Sequence, residues 1–229
     1  MNISYKDMPV VLRRRLKALE ETPGYCVFIK IHNPAGPGGE GLVERENTFQ
    51  NIMYLLAPVS RLFKHPDGAY IFIIPEESLI NVGSGRYTPL SFFDDLQMIV
   101  RGRGEYLPAK AVVVFSTNVS IVLEQEGCQI IIQEDGIEED GIEEDGIEED
   151  GIEEDGIDLA DCLINIVDNV ENGQIVMNRA FYDQVSREYE SIGNRQQFNC
   201  VEGIFPYGAE IEGYERPVPM YMFPRDANV

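Results

Sequence analysis

The sequence predicts an α/β domain of mixed α+β type: one mixed sheet of about five strands flanked by about five helices, carrying a disordered acidic insert. Three observations lead there. Some stretches place apolar residues at helical spacing, as Leu159, Cys162, Leu163, Ile166, Val167 and Val170 do. Others are unbroken apolar runs bounded by glycine and proline, as at residues 69–74, which suits a strand covered on both faces. The third is a tandem repeat, Gln133-Glu-Asp-Gly-Ile137 followed by four perfect copies of Glu-Glu-Asp-Gly-Ile ending at Ile157.

In chain order, Asp7 is expected to cap a helix over residues 7–20, with Met8, Leu12, Leu16 and Leu19 on one face and Arg13, Arg14 and Arg15 opposite. Residues 25–31 read as a strand. After a glycine-rich loop, Asn47 caps a second helix, whose stripe is Phe49, Ile52, Met53 and Leu56 and which ends or kinks at Pro58. The strand at 69–74 follows. Ser91 and Asp94 have capping-box spacing and open a helix with Phe92, Leu96 and Ile99 inward. Three short strands at 111–116, 120–124 and 129–133 then turn at Thr117-Asn118 and Glu126-Gly127, so their neighbours must be antiparallel. Asp158 caps the amphipathic helix beyond the repeat, and Asn178 starts the last helix, with Phe181, Val185 and Tyr189 on one side.

The repeat resists every ordered reading. In a helix its isoleucines would turn by about 140° per copy, and each glycine would cost roughly 1 kcal/mol. In a strand the odd period sends successive isoleucines to opposite faces. A pentapeptide solenoid would bury a row of aspartates, at several kcal/mol each. A calcium loop needs alternating oxygen ligands before its glycine and a glutamate six residues after it, and neither is present. A highly charged linker remains. The organisation expected is therefore a main α/β portion at 1–132, an acidic linker at 133–158, a helical portion at 159–195 completing the same domain, and an extended apolar arm at 196–229.

Charge is distributed unevenly. Residues 1–110 hold 13 Lys or Arg against 12 Asp or Glu, whereas residues 111–229 hold 5 against 28, of which 15 fall between Glu134 and Asp158. Such an acidic chain repels phosphate backbones at long range, so direct nucleic-acid binding is not expected despite Arg13 to Arg15 with Lys17 and the pair Arg101 and Arg103. No run approaches the roughly 18 apolar residues of a membrane span, and the first residues lack an apolar signal region; a cytoplasmic protein with no membrane partner is expected. Cys26, Cys128, Cys162 and Cys200 match no metal spacing and read as reduced core thiols.

Candidate chemistry is sparse. Gly36, Gly38 and Gly41 have GxGxxG spacing in a loop after a strand, where backbone amides would cradle a phosphate. Pro37 removes one of those amides, and no acidic residue closes a second strand some 20 residues on. His32, at the end of that strand, is the candidate general base; His65 belongs to a turn. The adjacent pairs Glu76-Glu77 and Asp94-Asp95 diverge on any regular element. No cofactor and no metal are expected. From residue 196 aromatics and prolines follow without periodicity, and Tyr214, Pro217, Tyr221 and Phe223 are expected to pack on this domain or on a partner.

The leading expectation is a non-enzymatic interaction or assembly protein, with a protein partner or a second copy, such as a subunit of a larger complex or virion particle. One alternative is a small nucleotide- or phosphate-binding enzyme built on the glycine loop at 36–41. The other is an acidic nucleic-acid mimic, whose tract occupies a basic partner.

Overall fold

The computed structural model describes residues 1–8, 13, 16–31, 61–80, 88–100, 109–133, 159–191, 201–203 and 220–223. Two long antiparallel strands, β2 (Leu19–Ile31) and β5 (Ala109–Leu123), run through the middle of the sheet. Their centres are apolar on both faces, with Tyr25 to Ile29 and Ala111 to Val114 all buried, which only a doubly covered strand explains. β4 (Tyr70–Pro75) pairs with the free side of β2, and β3 (Arg61–Lys64) with β4. Beyond β5 come β7 (Ile175–Asn178), β9 (Met220–Phe223) and β8 (Val201–Gly203). The strand order is β3-β4-β2-β5-β7-β9-β8, with β6 (Gly127–Gln133) against the distal half of β5 and β1 (Asn2–Ser4) against β6.

Side chains alternate across this sheet, so two cores form. On one face Tyr25, Val27, Ile29, Tyr70, Phe72 and Val113 meet α2 (Pro89–Val100) and α4 (Arg179–Ser191). On the other, Cys26, Phe28, Ile71, Ile73, Val112 and Val114 meet α3 (Ala160–Asn169) and the inner side of β6. α1 (Glu76–Ile80) is a short helix leaving β4. Asn178 joins the two layers: its Oδ1 accepts from Phe181 N at the start of α4 (3.2 Å) and from Phe115 N (3.0 Å), while its Nδ2 donates to Phe115 O (2.8 Å).

The expected fold class is corrected. The described residues form a nine-stranded sheet in which β5–β7 is parallel and the other pairings are antiparallel, with four α-helices, in place of about five strands flanked by about five helices. β1, β3, β7, β8 and β9 have three or four residues each, too few to show a period of two. The helix expected at 7–20 is contradicted at both ends. Tyr5–Asp7 is a 3-10 turn capped by Ser4, and β2 already includes Leu19 and Glu20. Thr88 caps α2, its Oγ1 accepting from Ser91 N at 3.2 Å, so Ser91 with Asp94 is not the capping box. No turn falls at Thr117-Asn118, because β5 runs unbroken through both. The helix expected from Asn47 lies outside the described residues, as does the repeat.

The ends of the repeat are nevertheless held together, for Leu159 N donates to Ile132 O at 2.9 Å. The tract thus leaves and re-enters at one point, and changing its length requires no movement of β6 or α3. Among the described residues, no helix is long and apolar enough to cross a membrane.

Candidate functional site

One group of charged side chains stands where β2 ends and β5 begins. The β3–β4 hairpin tip stands beside them: Ile29 pairs with Tyr70, so the tip residues before Tyr70 flank the last residues of β2. Its turn is His65-Pro66-Asp67-Gly68, with Gly68 N donating to His65 O at 2.9 Å and His65 N donating to Ala69 O at 2.8 Å. Proline at the second position presets the turn, and Gly68 takes φ +85°, which a Cβ would disfavour. Asp67 is exposed there, its carboxylate 3.4 Å from His65 Nδ1 and its backbone N–H donating to the same nitrogen at 3.3 Å. Since Nδ1 accepts that N–H only when it carries no proton, the backbone bond describes the neutral imidazole and the ion pair the protonated one. Lys64 lies over the ring of Tyr70, 5.4 Å from its centroid.

Two further lysines stand on the adjacent strands. Lys30 of β2 and Lys110 of β5 are directly opposite in the ladder and therefore point to the same side, the face that α3 covers. Lys30 is largely enclosed, its side chain 15% exposed, and pairs with Asp168 Oδ1 at the end of α3. The Lys110 ammonium donates to the backbone carbonyl of the same Asp168 at 2.6 Å. Burial lowers the pKa of Lys110, and Lys30 adds to this, while Asp168 opposes it. A tight turn at Gly173 (φ +87°), between α3 and β7, donates its N–H to Ala109 O at 2.7 Å.

A second polar group sits among the helices of the aromatic face. Tyr25 Oη donates to Gln184 Oε1 at 2.7 Å, and its hydroxyl is pushed to a higher pKa by burial, with Glu76 and Glu188 adding to it. Glu188 accepts from Leu90 N at 2.9 Å, at the start of α2. The Asp94 carboxyl is raised by burial and then by Asp95 and Glu188. These contacts tie α4 to β2 and α2.

Of the residues singled out from the sequence, His32, Gly36, Gly38, Gly41, Tyr214 and Pro217 lie outside the described residues. His65 is in the hairpin turn. Tyr221 and Phe223 belong to β9, antiparallel to β7 of this same sheet, and the Tyr221 ring stacks on Tyr182 with centroids 4.3 Å apart. Cys26 and Cys128 are buried, and the Cys128 thiol is pushed up to about 12 by burial and Glu124. Lys30, Lys110 and Asp168 were not singled out. A signal for the lysines is present: each interrupts an otherwise apolar strand run, Tyr25-Cys-Val-Phe-Ile-Lys-Ile and Ala109-Lys-Ala-Val-Val-Val. Which strands pair, and so that the two lysines meet, is a tertiary fact.

No family model matches the chain, and no curated protein matches it. Solved structures do share its fold. The adenylyl cyclase CyaB from P. aeruginosa is similar at a TM-score of 0.50 and 12% identity, covering 93% of this chain and 100% of that one. The guanylyl cyclase domain of the RhoGC fusion protein from the aquatic fungus Blastocladiella emersonii is similar at a TM-score of 0.50 and 11% identity, covering 90% and 97%. At such identities the likeness is one of fold. It corrects the expectation of a non-enzymatic assembly or structural protein, because the fold spanning nearly the whole chain is one that both of these proteins carry as enzymes.

Proposed function

We propose that this chain is a nucleotide-cyclase-like domain, which binds a purine nucleoside triphosphate at the end of the sheet where β2 stops and β5 begins. The observation that carries the reading is the likeness to an adenylyl cyclase over 93% of this chain and all of that one. The reaction class is intramolecular: the ribose 3′-hydroxyl oxygen bonds to the α-phosphorus, the bond from that phosphorus to the departing pyrophosphate breaks, and the hydroxyl proton is released. A cytoplasmic location fits such a substrate.

Magnesium that accompanies nucleotides is usually held by one or two carboxylates together with the phosphates. Among the described residues no group of three or more metal-ligating side chains forms, and the carboxylates at this sheet end are Asp168, whose Oδ1 is paired with Lys30, and Asp67 of the hairpin. No step is therefore assigned to a metal here.

The test is to incubate the full chain with ATP and with GTP in magnesium buffer, follow melting temperature, and look for cyclic nucleotide by mass spectrometry. The expected result is stabilisation by at least one of them and a cyclic product from it. A chain that neither binds nor converts either nucleotide would overturn the reading.

A further inference from the structure

We infer that Lys30 and Lys110 form a site for a chain of phosphates, which seats between the two ammonium groups by taking the place of the Asp168 carboxylate. The inference rests on the proposed nucleotide reading and names the part of the nucleotide that this end of the sheet recognises.

The argument begins with the ladder. On the face under α2 and α4, β2 remains apolar to its end through Tyr25, Val27, Ile29 and Ile31, and β5 through Val113, Ala111 and Ala109. On the face under α3, the corresponding rows are Cys26, Phe28, Lys30 and Val114, Val112, Lys110. Both rows change to lysine at the same rung. Like charges directly opposite in an antiparallel pair oppose folding, and these two are also drawn partly out of water. Capping the end of α3 accounts for one of them, since one cation satisfies a terminal carbonyl and the helix dipole. It does not account for two.

Among the described residues, Asp168 is the carboxylate that answers this pair, and it answers incompletely. Its Oδ1 pairs with Lys30, whereas Lys110 is left to its backbone carbonyl. Two ammonium groups facing one carboxylate leave a positive excess in a half-enclosed place. An oligophosphate supplies what is missing, because its several oxygens accept from both lysines together. Asp168 is 45% exposed and lies at the end of its helix, so its side chain can turn outward without disturbing the core. The phosphates are then neutralised by ammonium groups of the chain.

The experiment is calorimetric titration of the full chain with inorganic tripolyphosphate, ATP and GTP, each in magnesium and in EDTA. It is repeated on Lys30→Met, Lys110→Met and Asp168→Asn. The expected result is tripolyphosphate binding that survives EDTA, a loss of at least about tenfold in each lysine variant, and a gain of several-fold in Asp168→Asn, which releases Lys30. Asp168 is exposed, so this third variant folds even if a lysine variant does not. Nucleotide binding that is unchanged in all three variants, or that needs magnesium, overturns the lysine site while leaving the nucleotide reading intact. Tripolyphosphate binding lost in the lysine variants, with neither nucleotide bound, upholds the site and overturns the nucleotide reading.

Discussion

The two faces of the sheet are built from alternate residues of the same strands, yet they end differently. The face under α2 and α4 is aromatic: Tyr25, Phe92, Phe93 and Phe181 meet at ring-centroid distances of 5.7 to 6.3 Å, and its rows stay apolar to the last rung. The face under α3 is mostly aliphatic and gives way at its end to Lys30 and Lys110. One end thus serves stability alone, while the other accepts opposed like charges that a purely structural face would avoid. The proposed phosphate site gives that local cost a use.

The aromatic face should break most severely. Phe181→Ala removes a fully buried ring that touches three others, and should cost about 3–5 kcal/mol in denaturant unfolding. In the fraction that remains folded, tripolyphosphate affinity should be unchanged; a change there would mean that the two faces are not independent.

Lys110→Met sharpens the contrast by its opposite sign. Removing one of two opposed ammonium groups should raise stability at neutral pH by roughly 0.2–1 kcal/mol, although it deletes a hydrogen bond. The pH dependence follows from burial, the first cause of the lowered Lys110 pKa, with Lys30 adding to it. A lysine whose pKa is lower folded than unfolded weakens the fold while both states are protonated. That penalty fades as pH rises through the folded value towards the ordinary 10.5. The advantage of Lys110→Met, read from thermal melts, should therefore shrink between neutral and alkaline pH.

The smallest effect is expected from the repeat. With its ends joined through Leu159 N and Ile132 O, deleting two copies should alter unfolding free energy by less than about 0.6 kcal/mol, the cost of a twofold change in loop length. A larger change would show that the tract contacts the folded domain.

Much of this architecture was legible in local patterns and little of its site was. The run before Pro75 became β4 and the helical spacing after Asp158 became α3. Asn178 caps α4, as its position before Phe181 suggested. The first helix was drawn too long at both ends, although Arg13 within it is helical, because Met8, Leu16 and Leu19 satisfy helical spacing while serving a core that β1, β2 and β6 build from distant sequence. Ser120, Ile121 and Val122 read as a new strand after a turn, whereas β5 continues through them, keeping β2 on one edge and exchanging β7 for β6 on the other. Lys30 and Lys110 are 80 residues apart in sequence, and only the β2–β5 register brings them to one rung. Strand pairing is non-local, so a site made by pairing leaves no spacing to read.

The most direct measurement is the unfolding free energy of the double variant Lys30→Met/Lys110→Met against the unaltered chain, without and with saturating tripolyphosphate. The account predicts that the variant is the more stable of the two without the anion and the less stable with it. A variant less stable by the same amount in both conditions would contradict it, and would make the lysine pair a cap for α3.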